Sequence, residues 1–512
     1  MFGALKNNPE RRLVKNPFID QFMSAFANTG LTFDDVSLVT AYADFLPDDA
    51  DMQSRFSRNV PLNIPFVSAA MDTVTESDMA IAVALLGGIG VIHKNMEVVA
   101  QAAQVSKVKH YLNGLITDPV VFQEDQKVFE VLEEKKKNKY QFTGFPIVNN
   151  DGKLAGILAA RDIKFCTNHN LPVSEVMTRD LIVGQRGTST AEAFDIMLKN
   201  KVGKLPIVDD DGSLIGLYSF HDVRTIQENI EPGYNRDSEH RLRVAGAIGP
   251  HEDARIDALV EAGADALVID TAHGHTKGVI ETVRYTKQEY SHMDVVAGNV
   301  GTGEGAKALV DAGVDAVKVG IGPGSICTTR VVAGVGIPQV TAVYNVRQAI
   351  GDEVPVISDG GIAHSGDVSK AIAVGADCVM MGSALAGTEE SPGERILHQG
   401  RTYVVYRGMG SLEAMKEAKG SRERYGQRDV ATAEELVPQG VEGLVPYRGR
   451  VADVLQQFAG GLKYALGYCG ARTLSELQTK AKLMRVSPAA LYEAHPHDIK
   501  VLKDAPNYTA RQ

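Results

Sequence analysis

Four times along the chain, a run with the spacing of an amphipathic helix ends at glycine and passes straight into a short, wholly apolar stretch. The four are L-L-G-G-I-G-V-I-H, L-V-E-A-G-A-D-A-L-V-I-D, L-V-D-A-G-V-D-A-V-K-V-G and A-I-A-V-G-A-D-C-V-M-M-G. A glycine after the last periodic residue is a helix C-cap, and an apolar run without alternation is a strand buried on both faces. Further apolar runs at residues 294–297 and 354–359 fill the gaps between these units. Helices and buried strands that alternate in this way predict a parallel sheet with right-handed crossovers. The polar or glycine-rich residues follow the strands: D-T-A-H-G-H from Asp270, G-N-V-G from Gly298, G-I-G-P-G-S from Gly320, S-D-G-G-I from Ser358 and G-S-A from Gly382. Five loaded strand ends favour an α/β fold of the (β/α)8 barrel type, whose chemistry sits on that rim, over a doubly wound sheet with a single fingerprint loop.

Between residues 113 and 230 the pattern changes. F-P-I-V-N-N-D-G-K-L-A-G-I-L-A-A-R-D-I at 145–163 aligns with L-P-I-V-D-D-D-G-S-L-I-G-L-Y-S-F-H-D-V at 205–223, which marks an internal duplication. Each copy reads as strand, D-G turn, strand and helix start, preceded by an amphipathic helix at 127–138 or 190–200. The chain therefore divides into an N-terminal part of the barrel (1–112), an inserted α+β double module (113–230, repeats near 116–164 and 176–223), the rest of the barrel (231–480) and a C-terminal segment (481–512).

The net charge of −11 over 512 residues argues against a chain-wide preference for nucleic acid or anionic membrane, so any phosphate must be held locally. Cys166, Cys327, Cys378 and Cys469 show neither a C-x-x-C pair nor metal-ligand spacing, which speaks against disulfides and structural zinc. No leader-like segment and no membrane-length apolar run is visible, and a cytoplasmic location is expected.

Cys327 stands apart from the other three. It lies in G-I-G-P-G-S-I-C-T-T-R, among glycines and hydroxylic neighbours, whereas a packing thiol such as Cys378 sits in an apolar strand. Ser325, Thr328, Thr329 and local N–H groups can stabilise a thiolate, so chemistry alone leaves a nucleophile and a packed thiol evenly balanced. Glycine turns at S-D-G-G-I, M-G-S-A and Y-R-G-M-G-S (406–411) offer backbone donors for a phosphate, although each alone is as readily a geometric necessity. Asp359 is placed to take ribose hydroxyls. Asp270 and Asn299 are placed to serve a second ligand, or in the case of the aspartate to cap a helix.

The chain is similar to the inosine-5′-monophosphate dehydrogenases. The resemblance runs through L-T-F-D-D-V (31–36), S-A-A-M-D-T-V-T-E (68–76), the double module, G-P-G-S-I-C-T-T-R, S-D-G-G-I, M-M-G-S-A-L-A-G-T-E-E-S-P-G-E, Y-R-G-M-G-S and V-P-Q-G-V-E-G. It implies a tetrameric barrel enzyme, with octamers left open, that oxidises IMP to XMP with NAD⁺ and water on the route to guanine nucleotides. Cys327 would attack C2 of the purine. Ser325, Asp359, Gly361, Gly382, Ser383, Tyr406, Gly408, Met409, Gly410 and Gln439 would bind IMP, and Asp270, Asn299, Gly320 and Gly322 would contact NAD⁺. Carbonyls of Gly322, Gly324 and Cys327 would hold a potassium ion completed by a neighbouring subunit's Glu493, Ala494 and His495.

A mobile flap, G-S-R-E-R-Y-G-Q (420–427), would bring Arg424 and Tyr425 to activate water beside Thr329. An arginine base needs a strongly perturbing site, because its ordinary pKa lies above ~12. Gln439 occupies a position that many microbial relatives fill with glutamate. The double module resembles a tandem pair of cystathionine-β-synthase-type (CBS) modules and implies a sensor of purine nucleotides such as ATP or GTP. Its second copy keeps the expected hydroxyl and acid as Ser219 and Asp222, while the first has Ala159 before Asp162. Two rival readings are a GMP reductase, which would lack a use for the hydrolytic flap, and a non-catalytic nucleotide sensor, which would not need Cys327, Thr329, Arg424 and Tyr425.

Overall fold

A computed structural model describes residues 15–111, 115–116, 119–137, 140, 144–227, 233–417, 419–427, 430, 432–499, 501 and 505–508. The chain forms two compact units: Met1–Lys109 with Gly233–Asn235 and Leu242–Gln512, and His110–Pro232 with Arg236–Arg241. The joints expected at 112/113 and 230/231 lie outside the described residues.

The first unit is a closed parallel barrel of eight strands in chain order: β1 (Phe66–Ser68), β2 (Ile89–Ile92), β3 (Val244–Ile248), β4 (Ala266–Asp270), β5 (Asp294–Val300), β6 (Ala316–Val319), β7 (Val356–Asp359) and β8 (Cys378–Met381). Strand β5 runs three residues beyond the apolar stretch read from sequence. Strand β7 starts later than that stretch, after Pro355, which has no N–H to give a ladder. The glycines of the four repeated units, Gly87, Gly263, Gly313 and Gly375, have φ of +96°, +85°, +107° and +118°, the left-handed turn that lets each helix stop and the chain swing into the next strand.

Alternate strand residues fill the barrel interior. Val67, Ile89, Val91, Ala245, Ala247, Ala266, Val268, Val296, Ala316, Ile357, Cys378 and Met380 form one buried cluster, closed at one end by Phe56, Val60 and Leu62. That end is tied down where Asp294, the first residue of β5, accepts from the Ser57 hydroxyl (2.6 Å) and the Asn59 amide N–H (2.8 Å). The period-two rule carries the same interior parity upward to Asp270, Lys318 and Asp359, so the layer nearest the C-terminal rim is ionic rather than apolar.

The segment after residue 480 is stitched to the start of the same unit. Val36–Leu38 pairs antiparallel with Leu483–Arg485, and the buried Asn16 amide donates to the carbonyls of Gln478 and Ala481. An antiparallel sheet of Arg395–His398, Arg401–Arg407 and Glu442–Pro446 carries Tyr406.

The second unit repeats itself structurally. Gly144–Val148 pairs with Leu154–Ala159, Lys204–Val208 pairs with Leu214–Ser219, and both hairpins carry a register shift at the same place, Ile147/Val148 and Ile207/Val208. Each packs on its own helix, Val128–Lys137 or Thr190–Asn200, through a separate apolar core. Among the described residues no helix is long and apolar enough to cross a membrane.

Candidate active site

A cleft opens at the C-terminal rim of the barrel, where the ligand sites of such barrels sit. Its walls bring together most of the residues singled out in the sequence: Asn299, Gly320, Gly322, Gly324, Ser325, Cys327, Thr329, Asp359, Gly361, Gly382, Ser383, Tyr406, Gly408, Met409, Arg424, Tyr425 and Gln439. Asp270 lies beneath Arg424 rather than on the wall. Gly410 sits under the Tyr425 ring, where a Cβ would come within 2.6 Å of it, so its missing side chain makes room for tyrosine.

Cys327 is half-buried, and its loop is fastened at both ends. The Cys327 N–H donates to the Gly324 carbonyl (3.1 Å), Thr328 N–H to Gln439 (3.0 Å) and Val441 N–H to Ile326 (3.0 Å), which lays the loop against residues 439–441. The thiol donates to the Thr329 hydroxyl (3.2 Å), and that hydroxyl donates to Gln439 Oε1 (3.0 Å). The result is a directed chain from sulfur to an amide oxygen that carries no charge.

The floor is a buried ion cluster. Lys318 Nζ is 2.8 Å from Asp270 and 2.7 Å from Asp359 and also contacts Asn299 Oδ1. Asn299 Nδ2 donates to Asp359 (2.9 Å) and to the Gly320 carbonyl (2.8 Å). Lys318 belongs to none of the motifs that mark the site. The signal was present: a lysine two residues after Ala316, at the interior parity of an otherwise apolar strand, must either leave the barrel or find acids within it.

Arg424 and Tyr425 reach the cleft from the short helix Lys419–Arg424 and the turn that follows it. The Arg424 carbonyl accepts from Ala272 N–H (3.1 Å), and its guanidinium contacts Asp270. Burial pulls the Arg424 pKa below its ordinary value, opposed by Tyr425. The Asp270 carboxylate against it favours the charged form as well, so the two influences compete at one guanidinium. Burial pushes the Tyr425 hydroxyl up, opposed by Arg424, and pushes Tyr406 up, opposed by a hydrogen bond with Ser325.

Five predicted residues lie elsewhere. Glu493 and Ala494 close the helix Pro488–Glu493, and His495 Nδ1 is 3.0 Å from the Tyr508 hydroxyl. In the second unit Ser219 ends its strand opposite Lys204, and Asp222 follows in the first turn of the helix Phe220–Gln227. Burial lowers the Lys204 pKa, opposed by Asp222.

Replacing Lys318 with methionine leaves the half-buried Asp359 without its cation and the buried Asp270 with Arg424 alone. Lys318→Met is expected to lose about 3–5 kcal/mol of stability, the usual cost of breaking a buried pair, read as a fall in thermal midpoint, and to abolish nucleotide binding measured by calorimetry.

The IMP dehydrogenase / GMP reductase domain family matches residues 30–497. Proteins described as inosine-5′-monophosphate dehydrogenase are similar along almost their whole length: 50% identical in Aquifex aeolicus (94% of this chain, 97% of that one), 48% in Halalkalibacterium halodurans (94% and 99%) and 48% in Bacillus subtilis (95% and 99%). A solved GMP reductase from Trypanosoma brucei, in complex with guanosine 5′-monophosphate, superposes with a TM-score of 0.86 at 36% identity, covering 93% of this chain and 99% of that one. With a closed barrel, a cysteine loop on its rim and relatives of this closeness over nearly its full length, the chain belongs to the IMP dehydrogenase / GMP reductase family.

Proposed function

We propose that the protein oxidises IMP to XMP with NAD⁺ and water through a covalent Cys327 adduct. The observation that carries this reading is that Arg424 and Tyr425 share one cleft with Cys327 and Thr329, so groups suited to a hydrolytic step stand beside the nucleophile. Cys327 Sγ adds to C2 of the purine and makes it tetrahedral, and the hydride then leaves. NAD⁺, when bound, supplies the hydride acceptor. The remaining thioimidate is hydrolysed by a water that Arg424 deprotonates, with Thr329 and Tyr425 positioning it.

Loss of solvation favours the neutral guanidine that this role needs, whereas the Asp270 contact opposes it; the base therefore works best once that contact is loosened. Gln439 accepts the Thr329 hydrogen bond but cannot take up a proton as a glutamate would, which leaves the base role with Arg424.

Ser325, Asp359, Gly361, Gly382, Ser383, Tyr406, Gly408, Met409 and Gln439 hold IMP, with Gly410 acting through Tyr425. Asn299, Gly320, Gly322 and Asp270 serve NAD⁺. Arg424 takes the Asp270 carboxylate in this conformation, so flap and dinucleotide use it in turn. The carbonyls of Gly322, Gly324 and Cys327 would offer a neutral oxygen set, a donor chemistry that suits a monovalent cation such as potassium better than a divalent ion. Such an ion would stiffen the cysteine loop, with Glu493, Ala494 and His495 of a neighbouring subunit completing it in a cytoplasmic homotetramer.

The second unit is read as a tandem CBS insertion that binds ATP or GTP at Ser219 and Asp222. A GMP reductase is the second reading, favoured by the Trypanosoma brucei structure.

Following reduced nicotinamide absorbance separates the two readings. NADH formation with IMP and NAD⁺ is expected; NADPH consumption with GMP, and none of the former, overturns the proposal. Within the reaction, Cys327→Ala is expected to bind IMP and form no NADH. Arg424→Ala is expected to give a burst near one NADH per site, then a stall of about 10²- to 10⁴-fold in turnover, with the adduct visible by intact mass. ATP or GTP is expected to shift kinetics or sedimentation in the wild type and not in Asp222→Ala.

A further inference from the structure

Lys94 lies two residues beyond strand β2 and is only 4% exposed. A lysine is seldom buried so far without acids around it. Its ammonium is 3.2 Å from Glu423 and 3.5 Å from Glu252. The two acids differ in what else holds them. Glu252 also accepts from the Gly249 N–H and lies 3.4 Å from Arg255, so the barrel keeps it in place by itself. Glu423, which is also hydrogen-bonded to Glu252, belongs to the helix Lys419–Arg424 and immediately precedes the residue assigned as base.

The neighbouring contacts mark the same seat. Ser421 N–H donates to Asn95 Oδ1 (3.1 Å), and Asn95 Nδ2 donates to Asp72 (2.8 Å), which also receives Arg407 (2.8 Å). A Cβ at Gly420 would come within 2.7 Å of the Lys94 carbonyl, so glycine there lets the flap backbone lie directly on the Lys94–Asn95 loop. Lys94 thus gains its second carboxylate only when residues 420–424 are docked.

We propose that Lys94 is a positioning residue for the hydrolytic step: it pairs with Glu423 to hold the flap down and so sets how often Arg424 occupies the cleft. This rests on the role given to the flap under Proposed function. Lys94 touches neither the cysteine loop nor the nucleotide-binding turns among the contacts described, so its loss acts on water activation and leaves hydride transfer alone. The docked flap and NAD⁺ both use Asp270, so a weaker latch also lets NAD⁺ hold the flap off more readily.

The test compares Lys94→Met, Glu423→Gln, the double variant and Lys94→Arg in the full-length enzyme. Lys94→Met is expected to keep the NADH burst and the KM for IMP, lower steady-state turnover about 10- to 100-fold, the range for losing one charge-assisted hydrogen bond, and show NAD⁺ inhibition at lower concentration. Glu423→Gln is expected to behave alike, the double variant to cost no more than the worse single, and Lys94→Arg to recover most of the turnover. A lost burst in folded enzyme, or additive effects of the two single changes, overturns the proposal.

Hydrogen exchange over residues 420–427 in the ligand-free protein reads the latch irrespective of which nucleotide is turned over. It is expected to quicken in Lys94→Met and return in Lys94→Arg, and unchanged exchange overturns the latch even where the assigned reaction holds.

Discussion

One buried ammonium organises the mouth of this barrel. Lys318 places its charge between Asp359 on the adjacent strand β7 and Asp270 on β4, one strand beyond its other neighbour β5, whose Asn299 bridges the remainder. Removing an ammonium and two carboxylates from water costs several kcal/mol per ion, which only close mutual pairing offsets. The barrel below is filled by small and branched apolar side chains, so the ionic layer has no alternative partners on that side. It follows that the ends of β4, β5, β6 and β7 are held in one arrangement, and the loops they launch begin from fixed points.

The cysteine loop departs from the end of β6 and is tied to residues 439–441, while the flap lands on the β2 and β4 loops. In the proposed chemistry this separation has a use. The nucleophile is held beside Thr329 and Gln439 by contacts of its own loop, whereas the base comes with a helix that carries its own contacts. Asp270 joins the two regimes, because its carboxylate belongs to the floor and also receives the guanidinium. A site that must perform a redox step and a hydrolysis in turn gains from having one acid read by two visitors.

Much of this was legible in the chain. Glycine after a helix and apolar runs without alternation implied a parallel barrel, since both follow from local backbone conformation and two-sided burial. The duplicated D-G hairpins announced a repeat whose two copies share even a register shift. The setting of Cys327 among glycines and hydroxyls marked its loop, and the motif spellings named the family.

Other features depended on which distant residues meet. Lys318 looked like one charge in an apolar strand until Asp270 and Asp359, 48 residues before and 41 after it, appeared on the same interior layer. The hydrogen-bonded chain from Cys327 through Thr329 to Gln439 spans 110 residues at its last link. Gly410 reads as a phosphate-turn glycine and turns out to shelter a tyrosine ring. Lys94 and Glu423 gave no mutual signal, because ion pairing depends on distance through space and burial, and neither is written in local sequence. What the sequence by itself determined was the set of elements and the chemical character of their ends. Which charges are buried together, and so which residues can act as a unit, was decided only by closure of the barrel, since closure is what removes water and brings strand ends within reach of one another.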